Sequence, residues 1–275
     1  MRQVTNEEKL AELQPLTLMD DLFMRIFFMD NIPCVQLMLR IIMDKPDLIV
    51  DSVKVQHMLK GAETSRYVRL DIHAVDSNGT HYDCEFQNES AGAIPQRARY
   101  NSAILDANIL RPKEDYSVLK KRESVVIFIT EKDVLGEDEP IYVIDRVIRK
   151  SGKPFNDGSH IIYVNGSYKD LSTALGRLVH DFHCVKPDDM IYPALSERAF
   201  ELKGDRRMGV WEEMETEAHE KGHAEGHAEG LSEGIMAASE RIARNLLRAG
   251  TVALDEIAKA CDLSLQRVQE LAAGL

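Results

Sequence analysis

Residues 67 to 87, YVRLDIHAVDSNGTHYDCEFQ, alternate apolar and polar side chains in two runs on either side of a turn-forming Ser-Asn-Gly. Alternation with a period of two marks a half-buried strand, so the segment predicts a β-hairpin with one apolar and one polar face. Val68, Leu70, Ile72 and Ala74 fall on one face of the first strand, and Arg69, Asp71 and His73 fall on the other. In the second strand Tyr82, Cys84 and Phe86 oppose His81, Asp83, Glu85 and Gln87. The length of the turn decides whether the two polar sets meet. A two-residue Asn78-Gly79 turn would set Asp71 against Phe86 and split them. A three-residue Ser77-Asn78-Gly79 loop, with glycine at the positive φ it tolerates best, sets Asp71 against Glu85. That register predicts two carboxylates with Cβ atoms about 5 Å apart, and Gln87 one step along the same face.

Two carboxylates held that close repel unless a cation or a proton lies between them. A hard divalent cation suits them: Mg2+ takes one or two protein carboxylates, keeps water, and can activate that water against a phosphodiester. A solvated strand face, on which Arg69 and His73 balance the acids, is the competing reading of the same alternation.

Along the rest of the chain, Leu16 to Met43 reads as two short helices broken near Asp30, with Asn31 capping the second and Pro33 in its first turn. Strands are predicted at Ser52–Leu59, Tyr67–Val75 and His81–Gln87 as an antiparallel run. A helix follows from Pro95 to Leu110, then a strand at Ser124–Thr130 whose β-branched residues suit burial on both faces. Further strands at Ile141–Ile148 and His160–Val164 precede helices at Leu171–Phe182 and Ile191–Leu202. This order predicts an α/β domain over residues 12–204, with a central mixed sheet flanked by helices, and a C-terminal helical appendage over residues 205–275.

The net charge of −12 divides evenly, with 32 acids against 26 Lys and Arg in residues 1–204 and 14 against 8 in residues 205–275. Neither part is a basic nucleic-acid module, so DNA binding would need a local patch. Residues 96–122 supply one in Arg97, Arg99, Arg111, Lys113, Lys120, Lys121 and Arg122. Cys34, Cys84, Cys184 and Cys261 are far apart, which signals neither a disulfide framework nor a thiolate zinc site and suits a reducing cytoplasm. The first residues lack the pattern of a signal peptide and no apolar run is long enough to span a bilayer, so neither export nor membrane insertion is expected.

The pattern D-x13-E-x-Q, followed by the helix QRARYNSAIL, resembles the transposase-associated branch of the PD-(D/E)XK nuclease superfamily, which includes the recombination-promoting nucleases. The resemblance extends over most of residues 16 to 204, through LMDDLFMRIFF, HIIYVNGSYKD and FHCVKPDDMIY. It implies a restriction-endonuclease-like core acting as a Mg2+-dependent DNA endonuclease, with Mn2+ as a substitute, in recombination or transposition. It also implies metal ligation by Asp71 and Glu85, with the Phe86 carbonyl as a further ligand, Gln87 in the place of the usual lysine, and a first-helix acid at Asp20, with Asp21 as the fallback. Arg97 and Tyr100 resemble the family's R-x-x-Y pair and would contact phosphate and sugar; a solvated helix face with Tyr100 on the sheet is the alternative. Two features depart from the family pattern: Met24 stands where lysine usually follows the phenylalanine, and Gln87 is uncharged. A glutamine can orient water but cannot neutralise developing charge, so weak catalysis, or a nuclease fold kept as a DNA- or protein-interaction module, follows as the second reading.

After Lys203 the tetrad repeat over about residues 219–234 spaces Gly222, Gly226, Gly230 and Gly234 by four. His219-Glu220-Lys221-Gly222-His223 matches the zinc-protease pattern H-E-x-x-H, but His227 continues it at the repeat's own period and no separate third ligand follows. It reads as a solvated linker helix, with a metalloprotease a distant third. The terminal DEIAKACDLSLQRVQEL resembles a helix-turn-helix pair, and its acidity favours an oligomerisation or partner-binding element, so a homo-oligomer would form through this tail.

Overall fold

The computed structural model describes residues 11–59, 68–111, 113–204, 239–248, 253–261 and 263–273. The chain divides into two compact units, residues 1–208 and 209–275. The first is an α/β unit with a six-stranded mixed sheet flanked by helices; the second contributes C-terminal helices.

Helices α1 (Asp21–Phe28) and α2 (Ile32–Ile42) open the first unit. Asn31 caps α2 through its side chain, which accepts from the Cys34 amide at 3.2 Å, and Pro33 sits in the first turn. Phe23, Met24, Ile26, Phe27 and Phe28 of α1 and Val35, Met38 and Leu39 of α2 are buried. The two helices bend 109° from each other, and among the described residues no single helix is long and apolar enough to cross a membrane.

The sheet contains β1 (Val50–Leu59), β2 (Val68–Asp76), β3 (His81–Gln87), β4 (Ser124–Thr130), β5 (Ile141–Ile144) and β6 (Ser159–Asn165), in spatial order β1-β2-β3-β4-β6-β5. The β1–β2 and β2–β3 pairs are antiparallel, as expected for consecutive strands with short connections. The β3–β4 and β4–β6 pairs are parallel, and helix α3 (Pro95–Ile109) supplies the crossover that a parallel β3–β4 pair requires. All seven residues of β4 are buried, which fits its apolar β-branched sequence.

Several boundaries differ from the sequence expectation by a residue or more, and three of the differences have a visible cause or consequence. The strand expected to reach Ile148 ends at Ile144, at the edge of the sheet. Beyond it an exposed hairpin is closed by the single bridge Val147–Pro154, with Val147 and Phe155 facing solvent. Helix α4 (Ala174–Phe182) starts three residues later than predicted, because Thr173 caps it by accepting from the Gly176 amide at 2.9 Å. Helix α5 (Pro193–Lys203) starts at Pro193, because the amides of Ile191 and Tyr192 are already bound to the Asp181 carboxylate.

In the second unit, a helical stretch over residues 239–248, α6 (Leu254–Ala260) and α7 (Leu265–Ala273) enclose a small core of Ala243, Ile257, Ala258, Cys261, Val268 and Leu271. Arg267 is held by Glu240 at 2.8 Å and Glu270 at 2.9 Å. The histidine and glycine repeat at 219–234 lies outside the described residues.

Candidate metal centre

The β2–β3 ladder runs from Val75–His81 to Ile72–Cys84, and the same register continued sets Asp71 against Glu85. The connection is the three-residue Ser77-Asn78-Gly79 loop, with Gly79 at φ +83° and the Asp76 amide donating to the Thr80 carbonyl at 3.0 Å. Asp76 also accepts from the amides of Asn78 and Thr80 and from the Tyr82 hydroxyl, which locks the loop length.

At Asp71 side chains take over the bonding between the strands. Its amide donates to Glu85 Oε1 at 3.4 Å, and its Oδ2 accepts from the Phe86 amide at 3.0 Å. On the other side, Gln56 Nε2 donates to Asp71 Oδ1 at 3.4 Å. Gln56 has a φ of +54°, a left-handed conformation costly for a non-glycine residue inside a strand.

Here the alternation differs from the sequence expectation, which placed Val68, Leu70, Ile72 and Ala74 on one face. Val68 and Leu70 join the core on the α3 face, with Ala98, Leu105, Val126 and Phe128. Ile72 opposes Cys84 on the face where Phe86 meets the rings of Phe28 and Phe182, at 5.7 and 5.4 Å. The flip occurs in β1 as well: His57 opposes Leu70 yet stacks on His73 at 5.2 Å. The kink at Gln56 and Asp71 reverses the faces, so Asp71 sits where the strand turns over.

The polar face is buried rather than solvated. Glu85 and Asp83 are 0% exposed and Asp71 is 9% exposed. Asn101 of α3 donates to Asp83 Oδ2 at 3.1 Å, while Asp83 Oδ1 is buried with no hydrogen-bond partner. Arg97, one helical turn before Asn101, donates to Glu85, to Gln87 Oε1 at 3.1 Å and to the Gly92 carbonyl at 3.0 Å. Burial pushes all three acids up. Glu85 rises well above the usual carboxylate range through burial and the charges of Asp83 and Asp71, against the pull of Arg97. Asp83 is raised to about 7, chiefly by burial. Burial also raises Asp71, countered by the Phe86 amide and reinforced by the charge of Asp21.

The charge of Asp21, the fallback acid of the first helix, adds to the rise at Asp71, while Asp21 Oδ1 accepts from Arg25 Nε at 2.9 Å. Asp20 Oδ2 accepts from the Thr17 amide at 2.8 Å and hydroxyl at 3.0 Å, and its charge acts on Lys203. Gln87 lies beside Glu85, its Nε2 3.5 Å from Glu85 Oε2. Phe86 has its amide bound to Asp71 and its ring held between Phe28 and Phe182. Tyr100 is half-buried and packs against the core on the α3 face. Arg99, Arg111, Lys113, Lys120 and Lys121 are exposed, while Arg122 pairs with Glu114 at 3.2 Å.

Sequence reasoning placed Asp83 on the polar face without giving it a role, and it missed Gln56 and Asn101. Asn101 had a readable signal, since its four-residue spacing from Arg97 matches the two-residue spacing of Asp83 and Glu85: each spans roughly 6 to 7 Å. Gln56 had none, because nothing in QHML announces a left-handed residue.

No family model, curated protein or solved structure matches the chain.

Proposed function

We propose that residues 12–204 form a Mg2+-dependent DNA endonuclease core of the PD-(D/E)XK type, serving recombination or transposition. The observation that carries this reading is a buried group of three acids, Asp71, Asp83 and Glu85, of which Glu85 alone is paired with a cation, Arg97. Three carboxylates with one guanidinium leave an excess of negative charge that must be met by protons or by a metal ion.

The donors fit a hard cation. Asp71 and Glu85 stand side by side at the splayed end of a hairpin, both are oxygen ligands, and the nearby Asp83 Oδ1 lacks a partner. Asp71 and Glu85 would hold the ion, with Mn2+ a competent substitute. When bound, the ion would supply Lewis acidity toward a phosphodiester and a more acidic water. Gln87 would orient that water through its amide, and Arg97, hydrogen-bonded to both Glu85 and Gln87, would face the phosphate. Asp83 and Asn101 position the strand beneath them. The exposed basic residues at Arg99, Arg111, Lys113, Lys120 and Lys121 give the backbone of DNA a local footing on an otherwise acidic chain.

One observation favours the second reading, a nuclease fold kept for binding. Arg97 already bonds Glu85 and Gln87, and such a pair can serve structure alone. Cleavage of supercoiled plasmid with and without Mg2+, comparing wild type with Glu85→Ala, separates the two. Metal-dependent nicking lost in the variant supports the enzyme, and DNA binding without nicking in both proteins supports the module.

A further inference from the structure

The end of α4 and the turn after it gather a second group of chemically different donors. Ligand atoms of His180, Asp181 and Cys184 all lie within 4.8 Å of one another. His180 Nδ1 is 3.5 Å from Cys184 Sγ and 3.1 Å from Asp181 Oδ1. Tetrahedral zinc, with nitrogen and oxygen at about 2.0 to 2.1 Å and sulfur at about 2.3 Å, sets its ligand atoms roughly 3.3 to 3.8 Å apart. Small side-chain rotations would bring these three donors onto one ion.

The donors are also held in place. Asp181 is fully buried, and its two oxygens accept from the amides of Ile191 at 2.7 Å and Tyr192 at 2.8 Å. A carboxylate oxygen has a second lone pair, so Asp181 Oδ1 keeps one for a metal. The Cys184 thiol has no strong partner; its other contacts are His180 Nε2 at 3.9 Å and the carbonyls of His180 at 3.4 Å and Asp189 at 3.5 Å. His180 and Cys184 line a cavity of about 650 Å3, together with Glu131, Lys132, Gly166 and Lys169. It lies at the C-terminal ends of the parallel strands β4 and β6, where open α/β sheets hold their ligands.

We propose that His180, Asp181 and Cys184 bind one zinc-class divalent ion, with its fourth position open to this cavity for water or a small anion. A nitrogen, sulfur and oxygen set selects a borderline metal over the hard cation that Asp71 and Glu85 suit. Lys132 and Lys169 on the cavity wall would favour an anion there. Binding requires neutral His180 to carry its proton on Nε2. It also requires the Cys184 thiol to lose its proton to solvent, so uptake of M2+ releases H+. The proposal is independent of the endonuclease reading.

Titrating the metal-free full-length protein with Co2+ tests it. The expected result is a thiolate-to-cobalt charge-transfer band and tetrahedral d–d bands that saturate at one equivalent and disappear when Zn2+ is added. Cys184→Ser should lose the charge-transfer band, and His180→Ala should weaken cobalt binding at least about tenfold. His219, His223 and His227 carry no thiolate, so metal bound there cannot produce the band. In wild type, Zn2+ should also slow alkylation of Cys184, read by mass spectrometry, which needs no variant to fold. Absence of the band in wild type, its survival in Cys184→Ser, or equal alkylation with and without Zn2+ would overturn the proposal.

Discussion

The amide of Asp71 donates to the carboxylate of Glu85, while the carboxylate of Asp71 accepts from the amide that follows Glu85. The two acids thus close the space between their strands where the backbone ladder stops. Each is a structural partner of the other before any ion is considered, so the protein's stability and its proposed chemistry draw on the same atoms.

Neutralising either acid with an isosteric amide removes charge and keeps shape. Asp71→Asn and Glu85→Gln are each expected to lower Mg2+-dependent DNA cleavage by at least about 100-fold, or about 2.7 kcal/mol of barrier. The melting temperature of the metal-free protein should hold or rise as repulsion is relieved, and Mg2+ should stabilise the variants less than wild type. Equal cleavage by wild type and Glu85→Gln would remove both residues from the catalytic assignment.

Arg97 is the cation bonded to Glu85. Replacing it with Met leaves Glu85 buried without that partner; because the Arg97 side chain is partly exposed and Glu85 can take up a proton, the expected cost in urea unfolding at neutral pH is about 1 to 2 kcal/mol. Much of that loss should be recovered in Arg97→Met combined with Glu85→Gln, because the second change removes the stranded charge. A double variant no more stable than Arg97→Met would show that the ion pair is not what holds α3 to β3.

Gly92 controls Gln87 from across a short turn. A Cβ at this position would lie 2.0 Å from Gln87 Oε1, the far end of a flexible side chain bonded to Arg97, so Gly92→Ala should displace the amide and leave the backbone in place. Cleavage is expected to fall by as much as in Gln87→Ala, with the melting temperature nearly unchanged. Gln87→Lys should retain metal binding and preserve or raise the rate. If Gly92→Ala cleaves like wild type, Gln87 does not orient the attacking water.

His57, His73 and His81 stack across three strands, and His73 Nε2 lies 3.1 Å from His81 Nδ1. Burial, then the charges of His81, His57 and Lys54, lower His73 to about 3. A folded value below the unfolded one, about 6.5, means that the unfolded chain takes up the proton first. The stability is therefore present above about pH 6.5 and lost as pH falls toward about 3. Chemical denaturation across this window should show the loss in wild type and a shallower slope in His73→Gln. Identical slopes would show that His73 titrates normally in the folded protein.

Much of this architecture was legible because local rules and tertiary demands agreed. Asn31 and Pro33 mark the start of α2, the apolar run at Ser124–Thr130 is the strand buried on both faces, and the Ser77-Asn78-Gly79 loop sets the register that pairs Asp71 with Glu85. What was not legible depended on contacts distant in sequence or on backbone states that residue type does not announce. Asp20 and Asp21 are adjacent acids, and residue type does not announce that Asp20 binds the Thr17 amide and hydroxyl while Asp21 pairs with Arg25. The left-handed Gln56 likewise follows from no residue preference, and with it goes the simple alternation of β2.

That reversal at Gln56 and Asp71 has a mechanical consequence. On one side of it β2 is anchored in the hydrophobic core under α3 through Leu70, and on the other side Ile72 is buried in the opposite layer, so Asp71 lies where the strand passes from one packed layer of the sheet to the other. A small change of volume in either layer, such as at Leu105 or Phe28, would rotate one half of the strand against the other and alter the spacing of the two carboxylates. Sites of this kind are tuned from a distance, by core substitutions that touch no ligand.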